Sequence, residues 1–206
     1  MKKAVFIITF LVSIMLIGCG KQDELASVDT NKVTEDSVMI ETGNTVISYL
    51  TGMQVDETIG RFRPISVMFN NAKEGCPQTG ISRADVVYEA PLAANVTRLI
   101  GIIEDWHDLE KIGSIRSTRD YYVSFALEFD AIHVHFGQAT AYVGDMLNSD
   151  LVDNISGRVA GIDRPADNAF YRTDDRKAPH NLYASAEGIM EDIEKFEYNL
   201  NYNEEY

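Results

Sequence analysis

Between Pro64 and Phe136 four short apolar runs alternate with turn-rich polar stretches, a spacing that restricts the chain to a layered domain of sheet and helix. The runs are Pro64 to Phe69, ending at Asn70-Asn71; Val86 to Ala90, stopped by Pro91; Thr97 to Glu104, after a turn at Asn95; and Ala131 to Phe136. Each has strand length and strand composition, and Gly, Pro and Asn punctuate the stretches between them. Tyr122, Phe125, Ala126 and Phe129 recur instead at helical spacing, with Ser117 or Thr118 available as the cap. Thr140 to Asn148 reads as a second helix, and residues 151–180 as mostly loop, with turns at Gly157 and Pro165. Ser185 to Phe196 reads as an amphipathic helix burying Ile189, Ile193 and Phe196. The pattern predicts an α/β domain over residues 61–196, with mixed α+β as the open alternative, as a single sheet with flanking helices.

The first eighteen residues stand apart from this domain. Lys2 and Lys3 precede an apolar run from Ala4 to Ile17. That run falls short of the roughly 20 apolar residues needed to span a bilayer, and suits a cleaved export signal. It ends in Leu16-Ile17-Gly18-Cys19, which has the form of a lipobox: a small residue before the cut and a thiol to be alkylated. The expectation is a signal peptide over residues 1–18, then a Cys19 whose acyl chains hold the protein on the extracytoplasmic face of the cell membrane. An uncleaved anchor helix is the alternative. Lipidation leaves Cys76 as the other of two cysteines, so no disulfide framework is expected.

The net charge of −14 is carried mostly by the ends, at −6 over residues 21–60 and −6 over residues 187–206, against −4 over residues 61–186. An acidic chain argues against nucleic acid as a partner. Residues 19–60 read as a flexible acidic tether, in which Val46 to Leu50 could add a short strand or turn. Residues 197–206 form a polar tail with no closing element, so the chain is expected to be truncated before a further domain.

Arginine placement is the most informative chemical pattern. All ten arginines fall within residues 61–186, alongside three lysines. A guanidinium fork suits bidentate capture of carboxylate or phosphate. Gly113-Ser114-Ile115-Arg116-Ser117-Thr118-Arg119 enters a predicted helix, where unpaired N–H groups and the helix dipole favour an anion. Arg172-Thr173-Asp174-Asp175-Arg176-Lys177 is the second group. Ion pairing to Asp120, Asp174 and Asp175 is the structural alternative. His133 and His135 share one face of a predicted strand, and with His180 and Glu89 they offer a zinc set. The competing reading is a hydrogen-bonded polar end of the sheet. No nucleophile elbow, P-loop, zincin or dinucleotide motif occurs, and no cofactor is expected.

Several segments together resemble a known family. They are Arg63 to Asn71, Pro77 to Glu89, Thr97-Arg98, Gly113 to Ser117, Asp130 to Gly137 and Arg176 to Tyr183. In this order and spacing the chain resembles the YerB-like lipoproteins, envelope proteins whose domain has no assigned function. The resemblance implies a tethered extracytoplasmic domain without accepted catalytic residues. It selects Asn70, Asn71, Gln78, Glu89, Arg98, Arg116, Ser117, His135, Arg176, His180 and Asn181 as ligand-binding candidates, and Arg119 joins them from the anion-binding segment. Two departures stand out. Phe136-Gly137-Gln138-Ala139 replaces the Gly-Gly-Ser usual after the strand histidine, and His133 stands where the family often has an aromatic residue. The expected function is binding of an anionic wall polymer or an envelope protein. The competing expectation is a wall-polymer hydrolase, possibly metal-dependent, centred on His135, His180 and Glu89.

Overall fold

A computed structural model describes residues 43–93 and 95–202. Cys19, the signal peptide and most of the expected tether lie outside the described residues. The strands are β1 (Thr45–Ile47), β2 (Gln54–Asp56), β3 (Ile65–Asn70), β4 (Val86–Ala93), β5 (Val96–Ile103), β6 (Ile112–Gly113), β7 (Ile132–His135), β8 (Asn154–Ser156), β9 (Phe170–Arg172) and β10 (Leu182–Ala184). The helices are α1 (Glu57–Gly60), α2 (Asp120–Leu127), α3 (Thr140–Leu147) and α4 (Ala186–Phe196).

The architecture is mixed α+β. Its centre is a five-stranded sheet in the order β4-β5-β3-β7-β8, in which β3, β7 and β8 run parallel and β4, β5 and β3 antiparallel. β3 is buried at every position, which is why its sequence reads as continuous rather than alternating. Side chains alternate across the sheet. Ile65, Val67, Phe69, Val134 and Ile155 face one way, into a core closed by Ile189, Ile193 and Phe196 of α4. Met68, Ile100 and Ile102 face the other, under Tyr122 and Ala126 of α2. α2 and α3 share a third cluster through Val123, Val143 and Leu147.

The single expected sheet is accompanied by two small ones, the β1–β2 hairpin and the antiparallel trio β6-β10-β9. Residues 45–60, expected within the tether, form that hairpin and α1, and Ser48 ties them to the domain by donating to the buried Glu104 at 2.6 Å. Residues 151–180 contribute β8 and β9, each too short to show a period. Pro91 does not stop β4. The strand lies at the edge of the sheet, where a missing N–H breaks no ladder, and its register shifts between Pro91 and Ala93. Neither Ser117 nor Thr118 caps α2. Arg119 takes the cap position by backbone alone, because Thr118 is drawn into pairing with Gly137 and its hydroxyl into a contact with His133.

α4 is clamped rather than merely packed. Gly188 passes so close to Asn168 that an added Cβ would meet its carbonyl oxygen at 2.3 Å. One turn on, the fully buried Asp192 carboxylate accepts the backbone N–H groups of Asp167, Asn168 and Ala169 at 3.1, 3.0 and 2.7 Å.

Candidate functional site

The parallel strands β3 and β7 pair from Ile65 to Val67 and Ile132 to Val134, and then part. Residues 114–118 fill the gap. Asn70 N–H donates to the Ser114 carbonyl and Arg116 N–H to that of Met68 on one side. On the other side Phe136 N–H donates to the Arg116 carbonyl and Thr118 N–H to that of Gly137. The inserted segment therefore lies at the carboxyl ends of the parallel strands, where open sheets with helices commonly bind ligands. It brings Arg116, Ser117 and Arg119 there.

Arg98 meets this segment from β5. It is 5% exposed, and its Nη1 donates to the Ser117 carbonyl and, at 2.9 Å, to the Ser117 hydroxyl. Its guanidinium thus contacts the residue lying between Arg116 and Arg119 in sequence. Burial, then repulsion from Arg116 and Arg119, pushes its ionisation down to about 10. Arg116 is half-buried, and burial and the neighbouring Arg172 lower its ionisation too. Its Nε is buried without a partner among the described residues, and its Nη1 reaches the Pro179 carbonyl only at 3.5 Å. Arg172 is exposed, donates to Asn181 Oδ1 at 2.8 Å and stands 6.0 Å above the Phe136 ring. Arg119 donates to the Thr118 carbonyl at 2.6 Å.

Among the described residues, no carboxylate makes an ion pair with Arg98, Arg116, Arg119 or Arg172. The structural alternative of pairing with Asp120, Asp174 or Asp175 is therefore not what the fold uses for these four. Arg63 provides the contrast. It is equally buried, but contacts Asp130 at 3.1 Å and Asp153 at 2.5 Å. Arg61 and Arg164 also lack carboxylates, but stand over the rings of Tyr49 and Phe196.

Other candidates build the walls. Asn70 is buried opposite Arg98 in the ladder, and its amide donates to His180 Nδ1 at 2.7 Å. Gln78 donates to the Asn70 carbonyl at 2.8 Å. Arg176 donates to the carbonyls of Gly75 and Pro77, and Asn181 to that of Thr173. These contacts tie the loops after β3 and β9 together. Gly75 is required there, since an added Cβ would sit 2.2 Å from the Asn70 amide nitrogen.

The remaining candidates do not join this group. Asn71 donates to Glu89 and to Thr97 at 3.0 and 2.8 Å. Glu89 pairs with Leu99, which pairs with Phe69, so it lies on the face opposite Arg98. Its strand, β4, is three positions from β7 in the sheet, about 14 Å away at the usual strand spacing. His133 and His135 share a face as expected, with rings stacked at 5.0 Å. His133 is held between the hydroxyls of Ser66 at 2.9 Å and Thr118 at 2.8 Å. His135 lies between the Gly137 carbonyl at 3.0 Å and Asn154 Oδ1 at 3.3 Å. Burial lowers His133 well below the ordinary imidazole range and His135 to about 4. Among the described residues no group of three metal-ligating side chains occurs, so the zinc set of His133, His135 and His180 has no geometric support. His135, His180 and Glu89, the hydrolase set, likewise engage three separate sets of partners.

Within the segment expected to present its N–H groups to an anion, those of Arg116 and Thr118 serve the sheet. Gly113, at the head of that segment, exchanges backbone bonds with Thr79 in a packed crossing against Tyr183. Sequence reading named Arg172 and Thr118 only as parts of clusters and missed Ser66 and Asn154, polar residues whose histidine partners lie 19 or more positions away.

Two comparisons bear on this arrangement. The chain is 34% identical over 151 residues to "Putative lipoprotein YerB" of Bacillus subtilis (strain 168), covering 73% of this chain and 44% of that protein. The crystal structure of the YerB protein from Bacillus subtilis superposes with a TM-score of 0.66 at 32% identity, covering 76% of this chain and 51% of that one. The chain thus spans about half the length of the relatives it matches. Among the described residues, no helix is long and apolar enough to cross a membrane. With residues 50–199 matching the pattern described as "Protein of unknown function (DUF3048) N-terminal domain", beginning inside the β1–β2 hairpin, the chain belongs to the YerB-like DUF3048 family.

Proposed function

We propose that this chain is a lipid-anchored extracytoplasmic protein that binds an anionic component of the cell envelope in the crevice between β3 and β7. The anchor reading rests on the leader ending at Cys19 and on a relative named as a lipoprotein. The binding reading rests on one observation: Arg98, Arg116 and Arg119 lie near one another at the carboxyl ends of the parallel strands, with Arg172 beside Arg116, and among the described residues none of the four makes an ion pair with a carboxylate. In a chain of net charge −14 such a cluster is not a by-product of composition. Like charges held together cost stability unless something neutralises them. A wall polymer carrying anionic groups fits this chemistry. A protein partner would have to present acidic side chains to the same crevice.

The test is equilibrium binding of the full chain to isolated cell-wall sacculi over a series of salt concentrations. Wild-type protein is expected to bind with an affinity that falls steeply with salt, and Arg116→Ala to lose about tenfold or more, the value of one charge-assisted contact. Equal binding by the two proteins, with both folded, contradicts the reading.

A further inference from the structure

The anion site has a geometry that distinguishes between anions, and the inference drawn from it rests on the reading of the crevice as an anion site. We propose that the group it takes is a phosphoryl group and not a carboxylate. Three features point that way. First, the donors arrive from three elements: Arg98 from β5, Arg116 and Arg119 from the inserted segment, and Arg172 from β9. A carboxylate presents its acceptor sites close to one plane, whereas the oxygens of a tetrahedral group accept from directions that share no plane. Second, the charges do not match a carboxylate. One carboxylate would neutralise one of four cations, while a phosphate monoester brings about −1.5 to −2 and successive diesters bring one charge each. Third, donors remain to be used. Arg116 Nε is buried without a partner among the described residues, and the Ser117 hydroxyl, which accepts from Arg98, still has its own proton to give.

The same chemistry could come from a phosphodiester wall polymer or from a phospholipid headgroup. Both present a phosphoryl group to the crevice.

The experiment is calorimetric titration of the full chain at pH 7.5 and constant ionic strength with inorganic phosphate, inorganic pyrophosphate, malonate and citrate. Pyrophosphate is expected to bind at least about tenfold more tightly than malonate or citrate. Arg116→Lys, which keeps the charge but not the fork, is expected to weaken pyrophosphate binding by about 10–100-fold without changing the circular dichroism spectrum. Citrate or malonate binding as tightly as pyrophosphate overturns the phosphoryl assignment and leaves the anion site standing. Binding of none of the four overturns both. Displacement of pyrophosphate by glycerol 3-phosphate, compared with phosphatidylglycerol vesicles, separates the sources. A soluble ester competing as well as the vesicles assigns the ligand to a polymer or free ester, and vesicles competing much better assign it to a lipid. Either result upholds the phosphoryl group, and competition by neither overturns it.

Discussion

Replacing Arg98 by methionine removes a buried cation that no carboxylate balances, and the consequence can be worked out against Arg63. At 5% exposure, with its ionisation pushed down to about 10, the Arg98 guanidinium is disfavoured in the fold. The depression corresponds to roughly 3 kcal/mol against the charged form. Because the folded-state value lies below the unfolded one, this cost stands in full at every pH well below 10, including pH 7. Methionine relieves it but abandons the Ser117 carbonyl and hydroxyl. The carbonyl left without its donor costs about 1–3 kcal/mol, the hydroxyl of the half-buried Ser117 can turn to water, and the methionine stem keeps most of the packing. The two terms nearly cancel, so Arg98→Met should lie between unchanged and about 2 kcal/mol more stable. Arg63→Met should behave oppositely. It takes the guanidinium away from Asp130 and Asp153 and abandons the carbonyls of Asp130 and Asn199. Breaking such a buried pair costs about 3–5 kcal/mol. Urea unfolding of the full chain at pH 7, followed by tryptophan fluorescence of the buried Trp106, measures both. If Arg98→Met loses 3 kcal/mol or more, as Arg63→Met should, Arg98 is a structural residue and its lack of a counter-ion carries no functional meaning.

Three further outcomes follow from other parts of the molecule. The folded state holds His135 neutral down to about pH 4, and burial lowers His133 well below the ordinary imidazole range as well, whereas the unfolded chain takes up protons near 6.5. Stability is therefore full above about pH 6.5 and falls as the pH drops toward 4, by roughly 3 kcal/mol from His135 alone. Urea midpoints of wild type and His135→Gln should converge toward pH 4.5, and equal slopes for the two would contradict the assignment. Asp192→Ala leaves the buried N–H of Ala169 and the part-buried N–H groups of Asp167 and Asn168 without their acceptor, and should lower stability by about 1–3 kcal/mol and expose residues 167–169 to hydrogen exchange. Cys19→Ala should abolish incorporation of a fatty-acid analogue during growth, and equal labelling of mutant and wild type would remove the lipid anchor from the account.

The parts of the fold that were legible in the sequence are those with a local period. Ile189, Ile193 and Phe196 announce α4 because a single helix face repeats within eleven residues. β3 reads as a strand because both its faces are buried, which leaves a nearly continuous apolar run, and β7 reads as one by the alternation of Ile132-His133-Val134-His135. The insertion of residues 114–118 between those two strands has no such signature. It is specified by long-range backbone pairing with Met68, Asn70, Phe136 and Gly137, and backbone partners leave no mark on side-chain pattern. For the same reason the sequence did not report that the N–H groups of Arg116 and Thr118 are taken up by the sheet. The convergence of Arg98 with Arg116 and Arg119 depends on register between β5 and β3, and that of Arg172 on a three-residue strand. The separation of Glu89 from His135 follows from strand order, which alternation within one strand does not report.

The central claim is that four particular guanidinium groups share an anion, and arginine side-chain NMR addresses them individually. Nitrogen-15 spectra of the Nε–Hε groups, recorded during titration with inorganic pyrophosphate, should show Arg98, Arg116, Arg119 and Arg172 moving together along one saturable curve. Arg63 and Arg83, already paired with aspartates, should stay in place. A uniform drift of exposed arginines such as Arg158, with Arg98 and Arg116 unmoved, would contradict the account.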